Sequence, residues 1–274
     1  MKLQFHEEKH EYISPEEDID WISATTLISA FKQPFSPDQA AKSSKNKKSK
    51  WYGLSEPDIL SLWSKEAKRA TDLGTWYHNQ QEKLLCEVST IEREGTELPI
   101  FTPTYNEGIK YAPDQKLTTG IYPEHFMYLQ SAGVCGQSDR TEVVYDVVHI
   151  RDYKTNKEIK HRGYINWEGI AQKMQAPLQH LEDCHMTHYA LQLSLYMYMI
   201  LKHNPKLKPG TLAIEHIKFK EAGRDKYDYP ITYLDEQGNP VVESVTVHEL
   251  PYMKSEIITL LAYLKDNRAK IKKK

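Results

Sequence analysis

The sequence predicts one domain of mixed α/β class, and three stretches carry that prediction. Residues 133–155 (GVCGQSDRTEVVYDVVHIRDYKT) hold two runs rich in β-branched residues, separated by Tyr145-Asp146, a pair suited to a short hairpin connection. Residues 55–85 and 181–203 instead repeat apolar and small side chains three and four positions apart, the helical period. No internal repeat and no linker-like composition divides them. The chain is therefore read as a single domain over 1–274. Residues 1–54 form an N-terminal hairpin, short helix and basic loop; 55–204 form the core; 205–274 form C-terminal strands and a helix.

Composition narrows the function classes. A chain of 274 residues can bury a sizeable core, and 39% hydrophobic residues with 18 tyrosines fit a folded protein with a polar-edged interior. A net charge of −2 supplies no global basic field, so a nucleic-acid partner has to be argued from local patches. The three cysteines, Cys86, Cys135 and Cys184, exclude a four-cysteine zinc or iron–sulfur site and argue against a disulfide framework. Without an N-terminal apolar segment or an 18-residue apolar run, the expectation is a soluble, cytoplasmic protein with no membrane partner.

In chain order, residues 2–13 alternate around Glu7-Glu8-Lys9 and predict a small hairpin. Ser23 is a natural N-cap for a short helix over ATTLISAF, which Pro34 and Pro37 end. Lys42, Lys45, Lys47, Lys48 and Lys50 follow, with Trp51 and Tyr52 beside them. They read either as a solvated loop or as a backbone contact to nucleic acid with aromatic stacking on bases. Ser55-Glu56-Pro57-Asp58 opens the first long helix with a cap, an early proline and acids at the positive dipole end. Leu60, Trp63, Ala67, Ala70, Gly74 and His78 share one face, and their small size implies a close neighbour. Gly74 costs about 1 kcal/mol relative to Ala inside a helix, so it needs a packing or functional reason, or marks a break. His78, one turn on, reads as a core histidine unless acids converge on it.

Residues 88–120 look irregular, a loop or insertion. Residues 121–130 have strand character and pair with the following strand; Glu124 reads either as a further site acid or as an edge residue. After the central hairpin, residues 156–175 are polar, with Trp167 and Ile170 as docking points. In the second long helix Gln192 and Tyr196 are four apart and share a face, either at the rim of a core helix or as polar contacts in a site. Three strands follow, near 211–218, 227–233 and 241–250. Pro251 opens a terminal helix with Ile257, Leu260, Leu261 and Leu264 inward. Its basic tail (Lys265, Arg268, Lys270, Lys272, Lys273, Lys274) complements the negative helix end and is a candidate nucleic-acid contact.

The central hairpin carries the chemistry. Asp139 lies on its first strand, and Asp152-Tyr153-Lys154-Thr155 ends its second. Positions i and i+2 of a strand share a face, so Asp152 and Lys154 project into one place. Paired carboxylates suit hard divalent cations, which activate water and offset a phosphate's charge, and a lysine ammonium can hold or orient the reacting groups. Asp-x-Lys alone is weak, since about one is expected by chance in a chain of this length. Asp114-Gln115-Lys116 is a second, in a loop-like stretch. Asp152 is distinguished by its apolar strand and its upstream acid.

Taken with their order, four short motifs resemble the RecB-type branch of the PD-(D/E)xK nucleases. They are Gly74-x-x-x-His78, Gly136-Gln-Ser-Asp139, Asp152-Tyr-Lys154-Thr155 and Gln192-x-x-x-Tyr196, spanning residues 74–196. The resemblance implies a restriction-endonuclease-like α/β core, a central mixed β-sheet flanked by helices. It implies a Mg²⁺- or Mn²⁺-dependent deoxyribonuclease with one or two ions. Its metal ligands would be His78, Asp139, Asp152 and the Tyr153 carbonyl, with Glu124 as an added acid. Lys154 would orient or activate water, and Gln192, Tyr196 and Thr155 would support the site and contact DNA. Outside the four motifs, the lysine-rich stretch itself offers Lys45, Lys47, Lys48 and Trp51 as candidate DNA contacts. The expected activity is exonucleolytic, from single-stranded or duplex DNA ends, in recombination, repair or replication, in a host cytoplasm if phage-encoded. The alternatives are a structure-specific endonuclease and an inactive DNA-binding relative. Without a GxxxxGK[ST] motif, any helicase or recombination partner would be a separate chain, and the oligomeric state is left open.

Overall fold

The computed structural model describes residues 3–6, 9, 11–15, 18–93 and 95–271. Glu7, Glu8, Lys272, Lys273 and Lys274, named above, lie outside them. The molecule is a mixed α/β fold: a mixed multi-strand sheet with helices on both faces.

The sheet grows from the central hairpin. β1 (Gln4–His6) and β2 (Glu11–Ile13) make the expected N-terminal hairpin, and β3 (Ile22–Ser23) leads into α1 (Ala24–Ser29), whose first turn Ser23 caps through the Thr26 amide. Part of the lysine-rich stretch is helical, as α2 (Pro37–Ser43) capped by Ser36. The long helix α3 (Glu56–Cys86) runs unbroken through Gly74, with Ser55 accepting from the Asp58 amide. Residues 88–120, expected to be irregular, form two hairpins: β4 (Thr90–Arg93) with β5 (Thr96–Pro99), and β6 (Thr104–Asn106) with β7 (Ile109–Tyr111). Their strands are three or four residues long, too short to show a period. β7 also pairs with β1, so this segment and the N-terminal hairpin make one small sheet, β2-β1-β7-β6.

β8 (Gly120–Leu129), β9 (Val134–Val144) and β10 (Val147–Lys154) form the predicted antiparallel meander, with Tyr145 at φ +56° in its tight turn. α4 (His185–His203) crosses over to β11 (Lys208–Phe219), which is parallel to β10, and β14 (Val242–Leu250) closes the edge. β12 (Glu221–Arg224) and β13 (Pro230–Thr232) form a side hairpin. α4 starts four residues later than the periodicity suggests, because its N-cap is Cys184. α5 (Lys254–Ile271) follows Pro251 and buries Ile257, Leu260 and Leu264.

α4 is buried nearly all round because it lies between the sheet and the pair α1 and α5; Leu191, Leu193, Met197 and Ile200 belong to one core with Leu27, Ile150, Ile214 and Leu260. α3 is different. Only Ile59, Tyr77 and Leu85 are buried along it, and Ala67 and Ala70, expected against a close neighbour, are exposed. Trp167 and Ile170 are also corrections: Trp167 is 91% exposed, on a loop tip closed by the Asn166 side chain rather than docked. In α5, Arg268 is turned inward onto the carbonyls of Asp20 and Ala132.

One feature of the pairing positions the site. β8 runs along one edge of β9, so β10 and β3 share the other, at residues 140–144 and at Val134 and Cys135 respectively. Between them the edge at 136–139 is left without a strand among the described residues. α4 fills that gap: a Cβ on Gly136 would lie 2.5 Å from the Tyr196 ring. Gly136→Ala is expected to lower stability by about 1–3 kcal/mol, the usual cost of overpacking a tight contact. A melting temperature equal to wild type would show that Tyr196 can yield.

A second stitch joins α1 to α4. Asp183 accepts from the Gln33 amide and from His188 Nε2, each at 2.6 Å. Burial, with Lys32 nearby, outweighs Asp183 and holds the His188 ring down at about 4. The group's folded pKa is below its unfolded value, so its contribution is full above about pH 6.5 and is lost as pH falls towards 4. Thermal melts from pH 7.5 to 4.5 should fall more steeply for wild type than for His188→Gln; parallel curves would rule the histidine out.

Candidate metal centre

His78, Glu124 and Asp139 come together from α3, β8 and β9, with one ligand atom from each within 4.8 Å of the others. His78 Nδ1 is 3.0 Å from Asp139 Oδ1, while Asp139 Oδ2 accepts from the Tyr153 amide. That hydrogen bond falls just beyond the last β9–β10 pair, Arg140 with Arg151, so a side chain continues the ladder where the strands part. The amide and carbonyl of an extended residue turn to the same side, which places the Tyr153 carbonyl towards Asp139 as well. Glu124 sits at φ +46° between the pairs Pro123–Arg140 and His125–Ser138. Left-handed backbone is uncommon for such a residue and costs about 1 kcal/mol or more.

Asp152, only 2% exposed, is not part of this three-ligand group. Its carboxylate is paired with Lys154, two residues on and on the same face, as the strand period predicts. Lys154 Nζ also lies 5.0 Å over the Tyr189 ring, whose hydroxyl donates to Asn156 Oδ1 at 2.8 Å. On α4, Gln192 Nε2 donates to the Tyr196 hydroxyl at 3.0 Å. Tyr196 is buried, so it supports Gln192 at the cleft wall. Together His78, Glu124, Asp139, Asp152, Lys154, Gln192 and Tyr196 line one cleft of about 340 Å³.

The charges in this cleft are strongly coupled. Burial and the charge of Asp139 push Glu124 up to about 8, against Lys110 and His78. Burial and Asp139 likewise raise Asp152 to about 6, against Lys154 and His78. Burial disfavours a charged His78 ring, but the hydrogen bond and charge of Asp139, with Asp152 and Glu124, outweigh it and lift the ring to about 9. Burial opposes the Lys154 charge too, and Asp152 and Asp139 overcome it. One nitrogen and two carboxylates are a donor set that fits a divalent cation. The group could hold a metal ion.

Gly74 has its reason here. A Cβ at that position would stand 3.0 Å from Thr155 Oγ1, so the glycine lets α3 approach the end of the strand bearing Asp152 and Lys154. The exposed face of α3 and Thr155 bound an open groove of about 490 Å³ with Asn156.

The lysine-rich segment is elsewhere. Lys45, Lys47 and Lys48 are exposed at the start of α3, and His78 lies 22 residues beyond Glu56, or about 33 Å along the axis. Lys45 faces Glu56 at 3.4 Å. Trp51 is a correction: it is 7% exposed, stacked on Tyr227 and covered by the Lys50 ammonium, and has no free face for a base. Tyr52 is the exposed aromatic of that pair.

Sequence reasoning missed Lys110. It is 1% exposed, lies on β7, and reaches the cleft with its ammonium 2.8 Å from Gln137 Oε1 and 3.7 Å from Glu124 Oε2. Its strand is three residues long and its surroundings irregular, so no local pattern marks it. No protein-family model, no curated protein and no solved structure matches the chain.

If the three ligands act together, Mn²⁺ at 100 times its Kd should raise stability by about 2.7 kcal/mol. The shift should vanish in His78→Ala and Asp139→Asn. Equal shifts in those variants would place the ion elsewhere.

Proposed function

We propose that the chain is a Mg²⁺- or Mn²⁺-dependent deoxyribonuclease of the PD-(D/E)xK type, cleaving phosphodiester bonds from DNA ends. The observation that carries this reading is the convergence of His78, Glu124 and Asp139 beside the Asp152–Lys154 pair in one cleft. Three motifs far apart in sequence supply His78, Asp139 and the Asp152–Lys154 pair, β8 adds Glu124, and a chance Asp-x-Lys would not gather them.

The roles follow from the geometry. His78, Glu124 and Asp139 would hold the cation, with the Tyr153 carbonyl turned to the same place. Bound there, a divalent ion supplies an activated water and offsets the charge of the phosphate. Lys154, pinned by Asp152 and braced against Tyr189, is a fixed ammonium that orients the attacking water and stabilises charge developing on phosphate oxygens. Asp152 positions that lysine and adds negative charge beside the cation site. Gln192, steadied by Tyr196, offers an amide to the substrate backbone. Thr155 and Asn156 extend the wall into the groove along α3, a path for the DNA strand towards Lys47 and Lys48.

End-labelled linear and circular DNA, single- and double-stranded, tests this with Mg²⁺, Mn²⁺ or EDTA. Linear DNA should be degraded only with metal, circles should survive, and Asp152→Asn and Lys154→Met should each lose at least ~10²-fold in rate. Nicked circles would make it an endonuclease. DNA bound but never cut would leave an inactive binding protein.

A further inference from the structure

One side of the metal cleft belongs neither to a helix nor to the central sheet. Tyr12, Phe5, Lys110 and Tyr105 line it, and they form a single cross-strand row of the small sheet β2-β1-β7-β6. Tyr12 stands opposite Phe5, Phe5 opposite Lys110, and Lys110 opposite Tyr105. Directly opposed residues of a sheet project to the same face, so the row meets the cleft as a unit. Phe5 and Lys110, at its centre, are buried, whereas Tyr105, on the outermost strand, is 42% exposed. The small sheet thus covers one flank of the cleft and sets a tyrosine at its rim.

That tyrosine is held in place. Its hydroxyl donates to Glu82 Oε1 at 3.0 Å, and Glu82 lines the cleft from α3, one turn beyond His78. The buried Lys110 ammonium lies 5.4 Å from its ring centroid. With the tip fastened and one face over a buried group, the exposed part of the ring is its other face. Core packing does not explain an aromatic here, because β6 is exposed at all three of its positions. A fixed ring beside a cation site is instead a platform on which a nucleobase stacks, and stacking accepts any base because every base has a flat face.

We propose that Tyr105 is a substrate-binding residue whose open face stacks on the base of a nucleotide next to the phosphate held in the metal cleft. The inference rests on the nuclease reading and deepens it. A base inside a duplex has both faces covered by its neighbours, so a base that meets Tyr105 belongs to a single strand or to a frayed end. The small sheet thereby acquires a task that the four motifs do not perform: it grips the unpaired strand at the point of cleavage, without sequence preference.

Binding is measured first, without cleavage. A fluorescein-labelled oligothymidylate is titrated by anisotropy into the full-length protein with Ca²⁺, beside copies of the strand in which one abasic site is moved along the chain. Tyr105→Ala should weaken the intact strand about 5- to 150-fold, the size of one base stack. Tyr105→Phe, which loses only the bond to Glu82, should stay within about threefold of wild type. At one abasic position wild type should fall to the affinity of Tyr105→Ala, which itself loses nothing further there. Should Tyr105→Ala fail to fold by circular dichroism, Tyr105→Leu takes its place, keeping an apolar cover over Lys110 without a flat ring. The proposal is overturned if wild type binds no single strand, if Tyr105→Ala binds as wild type, or if no abasic position removes their difference. Equal losses in Tyr105→Phe and Tyr105→Ala also overturn it, since the tyrosine would then only tie β6 to α3. Cleavage with Mg²⁺ or Mn²⁺ is read separately. A protein that shows the Tyr105 pattern in binding yet never cuts loses the nuclease reading and keeps the stack. One that cuts, with Tyr105→Ala equal to wild type in affinity and KM, keeps the nuclease and loses the stack.

Discussion

Three carboxylates, those of Glu124, Asp139 and Asp152, are withdrawn from solvent in one cleft, and much of the surrounding architecture answers their mutual repulsion. Each acid has its own counter-group: Lys110 for Glu124, His78 for Asp139, Lys154 for Asp152. With all six ionised the set is electrically balanced, and burial strengthens every pairing because the local dielectric is low. The balance is not restful. Glu124 and Asp152 are both pushed up by burial and by Asp139 despite their lysines. Removing one partner from such a set leaves the other buried and uncompensated, which is usually worse than losing the pair. The cluster is expensive to bury without a purpose, and a cation between His78, Glu124 and Asp139 is the occupant its donors suit.

The sheet gives these groups their places. β9 and β10 pair as far as Arg140 and Arg151 and then separate, and the Asp139 carboxylate closes the gap through the Tyr153 amide. Two glycines let helices come in from opposite faces at that opening. Gly136 admits Tyr196 of α4, and with it Gln192; Gly74 brings α3 against Thr155, and with it His78. The two helices serve differently. α4 is a buried core helix whose polar rim at Gln192 lines the cleft, while α3 keeps a long exposed flank that turns the cleft into a groove.

Much of this was legible in the sequence where spacing alone determines direction. Asp152 and Lys154 meet because strand residues two apart share a face, and Gln192 meets Tyr196 because helix residues four apart do. Ser23 and Ser55 read correctly as caps because capping is local. The conflict over His78 could not be resolved locally, since its acids arrive from strands 46 and 61 residues later. Lys110 escaped for a related reason: its three-residue strand carries no usable period, and its pairing with the N-terminal hairpin is long-range. Trp51 misled because a tryptophan beside lysines looks like a stacking surface until Tyr227, 176 residues away, covers it. Trp167 misled in the opposite sense, as an apolar residue that the fold leaves outside.

Glu124 is placed in the cleft by a strained backbone. Pro123 precedes it and β8 pairs on both sides of it, yet its own φ is +46°. A glycine would take that conformation without strain, and an ordinary extended residue would continue the ladder. Either would leave the carboxylate missing or turned with the alternation of the strand. The left-handed kink instead re-aims a single side chain between its neighbours, much as a bulge does at the edge of a sheet. It brings the acid to His78 and Asp139 on one side and to Lys110 on the other. The flanking pairs, Pro123 with Arg140 and His125 with Ser138, over-determine the backbone and so hold a conformation that would not persist alone. The same displacement makes Glu124 the wall shared by two cavities, the metal cleft and a second one behind it.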